Sequence, residues 1–394
     1  MKEKRVHEKK IYLVGTAVRD ALMGRAVTEK EYVAVGYAPE DFADLKQADD
    51  AHLLFVRDDG SRLTLAAAPG LEAGKKAGIE AALMRQDLTI DAVAYDEEEG
   101  GYLDPFNGKE DIEKRMLRHT SDAFAEEPMR VLRLARLRAT YGTGWNIHAS
   151  TRVLVYGMRE ELKTLPPDRV WDEVEKVLAL PETHLFFETL FELGVLDIIF
   201  PSIFAMTTFK EGTKYHREAS LFAHVMMVLR ELKNEAPLLK LTALYHDIAK
   251  PFCFRTYGNG TRHGDPDKIE PRIDLQIPGP MKERVLFLSE NHVKLPRLPH
   301  MSVYQIADFF ESFKKDDALL EALIRFKRAD DQGRFTDAPR PEIWERALLK
   351  TFDAICAYRP DAWIEAQPQT PDAKAVALHV HLHNIEIVKR TFFA

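Results

Sequence analysis

The sequence predicts an α+β protein in which a small module of strands and helices is followed by a long helical part. Two patterns carry this prediction. Up to about residue 105, short β-rich runs alternate with turns marked by glycine, and from about residue 110 apolar residues recur at helical spacing. At 394 residues, the chain is long enough for two to four domains.

Glycine residues mark the ends of the predicted strands and helices in the first module. Gly15-Thr16 ends a β-rich run, Gly24 stops the helix that follows at 17–23, and a stretch rich in Ala, Gly and Lys at 67–80 predicts a mobile loop. Strands are expected at 10–14, 32–35, 53–56 and 62–66, with short β or turn structure at 85–95 and 102–105.

Beyond this module, the spacing of apolar residues predicts helices at 127–141, across 168–204 and across 217–331. Pro166-Pro167 marks a boundary between two of these blocks. After a Pro-containing linker that starts at residue 332, the chain is expected to end in short helices.

Composition excludes several classes of protein. No run of about 18 apolar residues is present, which excludes a membrane partner, and the N-terminal residues hold no apolar stretch of signal-peptide length. With only Cys253 and Cys356, a disulfide framework is excluded and a cytoplasmic location is expected. Since the net charge is −8, RNA would have to meet a local basic surface, for example Lys114, Arg115, Arg118 and Arg138. The sequence does not define an oligomeric state.

Two neighbouring patterns in the first module suit phosphate chemistry. Gly15-Thr16 opens a helix after a strand, where backbone N–H groups favour phosphate, and Arg19 adds further donors. Glu29 and Glu31 flank Lys30 on extended chain, so both side chains point to one side and could hold magnesium for phosphoryl transfer. Taken singly, each pattern also fits a common alternative: an ordinary strand-to-helix turn, and a solvated run of charges.

A third pattern is an arginine stripe. Arg130, Arg133 and Arg136 fall on one side of the predicted helix 127–141, within about 120° of one another at 100° per residue. Guanidinium groups suit both base edges and triphosphates, whereas the alternative is a solvated helix face.

Together these segments resemble a known family. The order and spacing of IYLVGTAVRDALMGR, YVAVG, RQDLTIDAVAYD and EEPMRVLRLARLRATYG, with FFETLFELGVLDIIFP after them, resemble the bacterial tRNA nucleotidyltransferase (CCA-adding) and poly(A) polymerase family. The resemblance implies a mixed-sheet nucleotidyltransferase head followed by helical neck, body and tail. It also implies extension of tRNA or other RNA 3′ ends with CTP and ATP as donors and Mg²⁺ as cofactor, without a template.

The resemblance also assigns roles to residues. Glu29 and Glu31 would be the catalytic, magnesium-binding pair. The nucleotide-binding set would be Gly15, Thr16, Arg19, Gln86, Asp87, Glu127, Arg130, Arg133 and Arg136.

The chain departs from the family at this predicted pocket. Gly15-Thr16 replaces two glycines, Glu29-Lys30-Glu31 replaces Asp-x-Asp, and Asp91 replaces an asparagine. Arg85-Gln86-Asp87 replaces Arg-Arg-Asp and Glu126-Glu127-Pro128 replaces Glu-Asp-Pro, while the strand that starts at Arg62 lacks the family's third acid. Lys75 and Lys76 could compensate in charge. Because a shift of about 1 Å can cost on the order of 100-fold in rate, these changes leave a degenerate head as an alternative.

A second candidate site lies in the block 217–331. His224, His246, Asp247 and Asp330 combine imidazole and carboxylate groups that suit a divalent transition metal or Mg²⁺, and Lys250 could face a developing phosphate charge. The order His, His-Asp, Asp resembles the HD phosphohydrolase domain, which one branch of CCA-adding enzymes carries after the body. His263 and His292 are secondary candidates, and the alternative is a set of buried core histidines.

The resulting prediction has five parts: head 1–108, neck 109–165, body 166–215, HD domain 216–335 and tail 336–394. Three functions stay open at this point. The chain could be an RNA 3′-terminal nucleotidyltransferase, an HD-type 2′,3′-cyclic phosphodiesterase or phosphatase whose head only binds RNA, or a non-catalytic RNA-binding protein.

Overall fold

The computed structural model describes residues 9–49, 54–66, 78–210, 218–253, 255–256, 262–263, 273–335 and 344–393. It divides into two compact units: Met1–Glu173 with Leu185–Ile199, and Val174–His184 with Phe200–Ala394. None of the helices in the described ranges combines the length and hydropathy needed to cross a bilayer.

The first unit contains a mixed sheet, which confirms the predicted fold class. Within the described residues its strands follow the order β3-β4-β5-β2-β1-β6-β7, and only β2 and β5 pair in parallel. The strands are β1 Lys10–Val14, β2 Glu31–Val35, β3 Lys46–Asp49, β4 Leu54–Val56, β5 Arg62–Leu65, β6 Ala94–Asp96 and β7 Gly101–Leu103.

Both faces of the central strands of the sheet are buried. Alternate residues of β1 and β2 point to opposite faces, so Leu13 and Tyr32 join one apolar cluster while Val14 and Val33 join another. The first cluster includes Val18 of the helix after β1. The sheet is therefore a fixed platform for the residues at the ends of its strands.

Helices and one short parallel strand pair complete the first unit. The pair is β8 Met116–Leu117 with β9 Asn146–Ile147. The helices are α1 Thr16–Leu22, α2 Ile79–Leu83, α3 Gly108–Glu113, α4 Met129–Tyr141, α5 Ala149–Gly157, α6 Pro167–Leu178, α7 Thr183–Glu192 and α8 Leu196–Ile199, of which α6 and α7 continue into the second unit.

The second unit is mainly helical, with a short antiparallel pair, β10 Arg255–Thr256 and β11 Arg262–His263. Its core is rich in aromatic side chains, including Phe310, Phe313 and Phe352. The helices are α9 Pro201–Thr208, α10 Leu221–Glu231, α11 Pro237–Tyr245, α12 Lys250–Cys253, α13 Gly279–Asn291, α14 Val303–Ser312, α15 Asp317–Gln332, α16 Glu345–Ala357, α17 Asp361–Glu365 and α18 Ala373–Thr391.

Two predictions need correction. The expected short helices at the end of the chain are wrong for α18, which has 19 residues. Its Val-His-Leu-His run alternates like a strand, but burial of Ile385 and Val388 stabilises the helix. The predicted loop at 67–80 lies largely outside the described residues, together with Lys75 and Lys76, and its last two residues begin α2.

Candidate active site and candidate metal centre

The predicted acid pair lies beside Gly15. The first residue of β2, Glu31, pairs with Val14 at the end of β1, and Gly15 follows with a φ of 68°. A Cβ atom added to Gly15 would lie 3.1 Å from Glu31 Oε2. The left-handed backbone favours glycine here, and an added Cβ would also press on the Glu31 carboxylate, which would have to shift by a few tenths of an ångström. Thr16 opens the seven-residue helix α1.

Glu29 and Glu31 converge on one arginine. The Nη2 atom of Arg62 lies 3.1 Å from Glu29 Oε2 and 2.7 Å from Glu31 Oε1. The parallel pairing of β2 with β5 sets Arg62 opposite Glu31. Both acids therefore point to one side, as the sequence predicts, but they hold a guanidinium between them rather than standing as a free solvated run.

The acid pair fits a magnesium ion by the chemistry of its donors. Mg²⁺ is commonly held by one or two carboxylates together with water and substrate phosphates, and two carboxylates meet here. Glu29 borders an open groove of about 490 Å³, whose other lining residues are Val27, Thr28, Lys30, Asp59, Gly60, Ser61 and Arg62. On the neighbouring strand, where the family has a third acid, this chain brings a positive charge.

Arg19 is buried and paired. Its Nη1 donates to Asp91 Oδ1 at 2.6 Å, and its Nε donates to Asp20 Oδ1 at 3.1 Å. Burial raises the pKa of Asp91 to about 6, although the charge of Arg19 opposes this rise. Asp91, which replaces the asparagine of the family, therefore serves as the acidic partner of Arg19.

Four predicted nucleotide-binding residues form one ion-pair cluster at the start of α4. Arg133 Nε donates to Asp87 Oδ2 at 2.5 Å, and Arg133 Nη1 donates to Glu127 Oε1 at 3.0 Å. Arg130 Nε lies 2.9 Å from Asp87 Oδ1. A hydrogen bond from Arg133 lowers the pKa of Glu127. We call Asp87, Glu127, Arg130 and Arg133 the neck cluster.

The arginine stripe is not a uniform solvated face. Arg130 is only 8% exposed, and its guanidinium donates to the backbone oxygens of Ala123 and Arg85 at 2.8 and 2.9 Å. Arg136 lies outside the neck cluster and binds Glu173. Gln86 is half-buried, and its backbone N–H donates to Leu83 O at 3.0 Å.

In the second unit, the predicted histidines and aspartates come together from different helices. His224 lies in α10, His246 and Asp247 directly follow α11, and Asp330 lies in α15. His224 Nε2 is 3.1 Å from Asp330 Oδ1, and His246 Nε2 is 3.1 Å from Asp247 Oδ2 and 3.7 Å from Asp330 Oδ1. All four residues are buried.

His292, a secondary candidate, completes this group. It follows α13, and its Nε2 lies 4.0 Å from Asp247 Oδ1. We call His224, His246, Asp247, His292 and Asp330 the histidine cluster. His263 belongs to the strand β11, but its side chain lies outside the described residues.

The orientation of the three rings favours a metal. In each ring Nδ1 lies within hydrogen-bond distance of a backbone oxygen: Gly333 for His224 (3.2 Å), Ala243 for His246 (2.9 Å) and Ser289 for His292 (2.5 Å). When Nδ1 donates in these contacts, Nε2 presents its lone pair toward the carboxylates. This donor set of imidazole and carboxylate fits a divalent transition metal.

Cations stabilise the carboxylates of the cluster. Lys327 and Arg334 each contact Asp330 Oδ2 at 2.6 Å, and Lys250 Nζ lies 2.8 Å from Asp247 Oδ2. Burial alone would raise the pKa of Asp247, but His246 and Lys250 hold it well below the usual value. Burial lowers the pKa of His292 to about 4, with help from the neighbouring His246. The aspartates are thus ionised and His292 is neutral at pH 7.

Sequence reasoning missed three important partners. The contact of Arg62 with Glu29 and Glu31 could not be predicted, because it depends on the register of β2 with β5. The ion pair between Arg136 and Glu173 could not be predicted from the sequence either. Lys327 lies three residues before Asp330, so the helical spacing of the two residues could have predicted their contact.

Family models match two segments of the chain. Residues 66–118 match the model described as "Poly A polymerase head domain", and residues 144–206 match "Probable RNA and SrmB- binding site of polymerase A". The first segment contains Gln86 and Asp87, and the second follows α4.

Whole-chain comparisons agree. The chain is 32% identical over 354 residues to the "Multifunctional CCA protein" of Shewanella denitrificans, covering 82% of this chain and 84% of the relative. It is 33% identical over 361 residues to the protein of the same name from Thioalkalivibrio sulfidiphilus, covering 84% and 88%.

Solved structures show the same fold. The Thermotoga maritima CCA-adding enzyme complexed with tRNA has a TM-score of 0.61 at 15% identity, covering 97% of this chain and 90% of its own. The Bacillus stearothermophilus CCA-adding enzyme in complex with CTP has a TM-score of 0.60 at 20% identity, covering 98% and 90%. The similarity to the two multifunctional CCA proteins extends over more than four-fifths of each sequence. The chain therefore belongs to the bacterial CCA-adding tRNA nucleotidyltransferase family.

Proposed function

We propose that this protein transfers nucleotides from CTP and ATP to the 3′ end of tRNA or a similar RNA. The observation that carries the proposal is the convergence of Glu29 and Glu31 beside Gly15, in a chain so similar to multifunctional CCA proteins. The substitution of glutamate for aspartate keeps both negative charges at the edge of the sheet. This supports a working head over a degenerate one.

In this proposal Glu29 and Glu31 would hold Mg²⁺, which would supply positive charge next to the phosphates of the nucleotide. The 3′-hydroxyl oxygen of the RNA bonds to the α-phosphorus and gives up its proton to water, and the bond from the α-phosphorus to the oxygen bridging it to the β-phosphorus breaks to release pyrophosphate. The neck cluster orients the base, because the fork of Arg133 donors and the carboxylates of Asp87 and Glu127 can pair with base edges.

The test is extension of tRNA that lacks its terminal CCA, with labelled CTP and ATP and with Mg²⁺. We expect added nucleotides with the wild type, and at least about 100-fold slower addition by Glu29→Gln/Glu31→Gln, since one misplaced ligand already costs that much. No extension by the wild type under any divalent metal would overturn the proposal.

A second function is favoured by the histidine cluster. We propose that residues 216–335 form an HD phosphohydrolase domain that holds a divalent transition metal or Mg²⁺ and acts on 2′,3′-cyclic or 2′ phosphates. Its support is the convergence of three imidazoles and two ionised aspartates, with Lys250 beside Asp247. A bound metal would activate water, and Lys250 would stabilise negative charge on the phosphate.

Hydrolysis of 2′,3′-cyclic AMP tests this second function. Wild type should hydrolyse it, and His246→Ala/Asp247→Ala should not. Equal hydrolysis by both proteins would contradict the assignment. Activity in either assay eliminates a purely RNA-binding protein. We further propose the division into head 1–108, neck 109–165, body 166–215, HD domain and tail 336–394, in the cytoplasm where a tRNA substrate is found.

A further inference from the structure

We infer that Arg62 is a built-in cation that competes with the divalent metal for the Glu29–Glu31 pair. The inference rests on the proposed function, because it concerns the same acid pair, and it deepens that function by adding a residue that controls metal uptake. Nothing in the motif of the acid pair itself assigns a role to Arg62.

The first support is geometric. A single nitrogen, Arg62 Nη2, contacts one oxygen from each glutamate, at 3.1 and 2.7 Å. Magnesium binds carboxylate oxygens at about 2.0–2.1 Å. Nη2 occupies the space between the two carboxylates that would hold a divalent metal, so the guanidinium would have to move away for the metal to bind.

The second support is that the backbone of Arg62 is fixed. Its N–H donates to Lys30 O at 3.1 Å, in the middle of the Glu29-Lys30-Glu31 segment, and its Cα is in register with Glu31. The backbone of Arg62 is therefore held beside the pair, so the guanidinium can return to the two glutamates whenever its side chain swings back. A tethered cation competes at a high effective concentration.

The third support is that the ion pair is displaceable. The side chains of Arg62 and Glu29 are 47% and 71% exposed, and ion pairs at such positions are weak. Arg62 also lines the open groove next to the pair, which gives its side chain room to move. Asp59 lines the same groove, and hydrogen bonds from Ser61 lower its pKa, so an ionised carboxylate borders the space into which Arg62 would swing.

The experiment is a titration of the full-length protein with Mn²⁺ in the absence of nucleotide, with free Mn²⁺ measured by electron paramagnetic resonance. Arg62→Ala should bind Mn²⁺ at the head about 2- to 5-fold more tightly than wild type, the range expected when a weak exposed ion pair is removed. Arg62→Lys should stay near wild type, because it retains the charge.

Two controls locate the effect. Arg152→Ala removes a comparable arginine, 38% exposed and paired with Glu192 in the same unit, and should leave Mn²⁺ binding unchanged. Adding Glu29→Gln/Glu31→Gln to Arg62→Ala should abolish the gain. Mn²⁺ bound at the histidine cluster is common to all these variants and cancels in the comparison.

The outcomes separate this inference from the proposed function. If Arg62→Ala binds Mn²⁺ no more tightly than wild type, or if the gain persists without the two glutamates, the inference is overturned, whether or not the wild type extends tRNA. If the gain appears as expected but the wild type does not extend tRNA at saturating Mg²⁺, the inference stands and the proposed transfer fails.

Discussion

Arg133 of α4 and Asp87, which follows α2, form a two-pronged ion pair, with Nε 2.5 Å from Oδ2 and Nη2 3.2 Å from Oδ1. Glu127 occupies the other side of the same guanidinium, with Oε1 and Oε2 at 3.0 and 2.9 Å. The neck cluster is therefore prearranged, and its donors and acceptors are held in place before any nucleotide arrives. Because these donors and acceptors are fixed, we expect the neck cluster to bind only bases whose edges present complementary hydrogen-bonding groups.

Replacement of Arg133 should weaken nucleotide use far more than it weakens the fold. We expect Arg133→Ala to lower kcat/KM for CTP and ATP by about 100-fold, because a charged, forked donor is lost from an ordered site. Arg133→Lys should recover little of this loss, since an ammonium cannot form both prongs. Steady-state kinetics of tRNA extension would measure this loss of kcat/KM. If Arg133→Lys had the kinetics of wild type, only the charge of Arg133 would matter and the prediction would be wrong.

Gly15→Ala should separate backbone strain from damage to the acid pair. The new Cβ would lie 3.1 Å from Glu31 Oε2 at a φ of 68°. Gly24→Ala is a matched control, because its φ is 66° and no atom lies within 4 Å of the added Cβ. Both variants should lose about 1–2 kcal/mol of unfolding free energy, but only Gly15→Ala should lose transfer, by at least about tenfold. Equal transfer by the two variants would argue against a role for the Gly15–Glu31 contact.

Asp91 should make stability depend on pH. Because its pKa is raised from 3.8 to about 6, the folded protein holds this proton more firmly than the unfolded chain. The resulting stability is fully present below pH 3.8 and is lost as the pH rises through about 6, by at most about 3 kcal/mol. Urea unfolding of wild type and Asp91→Asn at pH 4 and pH 7 measures this contribution of Asp91 to the free energy of unfolding. The stability of wild type relative to the variant should fall between these pH values; a constant difference would refute this assignment.

Removal of His246 should empty the histidine cluster of metal. We expect His246→Ala to lose most of the metal that copurifies with or is added to wild type, and to lose hydrolysis of 2′,3′-cyclic AMP, because one of three converging imidazoles is gone. His184→Ala is the control: His184 is also buried, but burial lowers its pKa to about 4 and it lies outside the histidine cluster. The metal content of both variants can be measured by mass spectrometry after gel filtration. An equal loss of metal in the two variants would indicate unfolding and not the removal of a metal ligand.

Local signals in the sequence predicted much of the first unit. Gly15 and Gly24 bound the helix α1 as expected, and the pair Glu29 and Glu31 sits at the start of a strand. The partner of that pair could not be predicted, because Arg62 reaches it through a parallel pairing between strands 31 residues apart. Long-range register depends on the packing of the whole sheet and leaves no local pattern.

In the second unit, too, one part of the site could be predicted from the sequence and another part could not. The chain order of His224, His246, Asp247 and Asp330 predicted their convergence through the resemblance to HD domains. Lys327 and Arg334 lie three residues before and four residues after Asp330, so their contacts with it are local, whereas the burial of Asp330 depends on the packing of α15. The expectation of short helices at the end of the chain is wrong for α18, because burial of Ile385 and Val388 stabilises a helix of 19 residues.

The most direct test of the account compares wild type with Glu31→Gln in the extension of CCA-less tRNA by labelled CTP and ATP at saturating Mg²⁺. The account predicts stepwise addition by wild type and a rate at least about 100-fold lower for Glu31→Gln, with hydrolysis of 2′,3′-cyclic AMP unchanged in the variant. Equal extension by both proteins, or none by wild type, would contradict the claim that the Glu29–Glu31 pair carries nucleotide transfer.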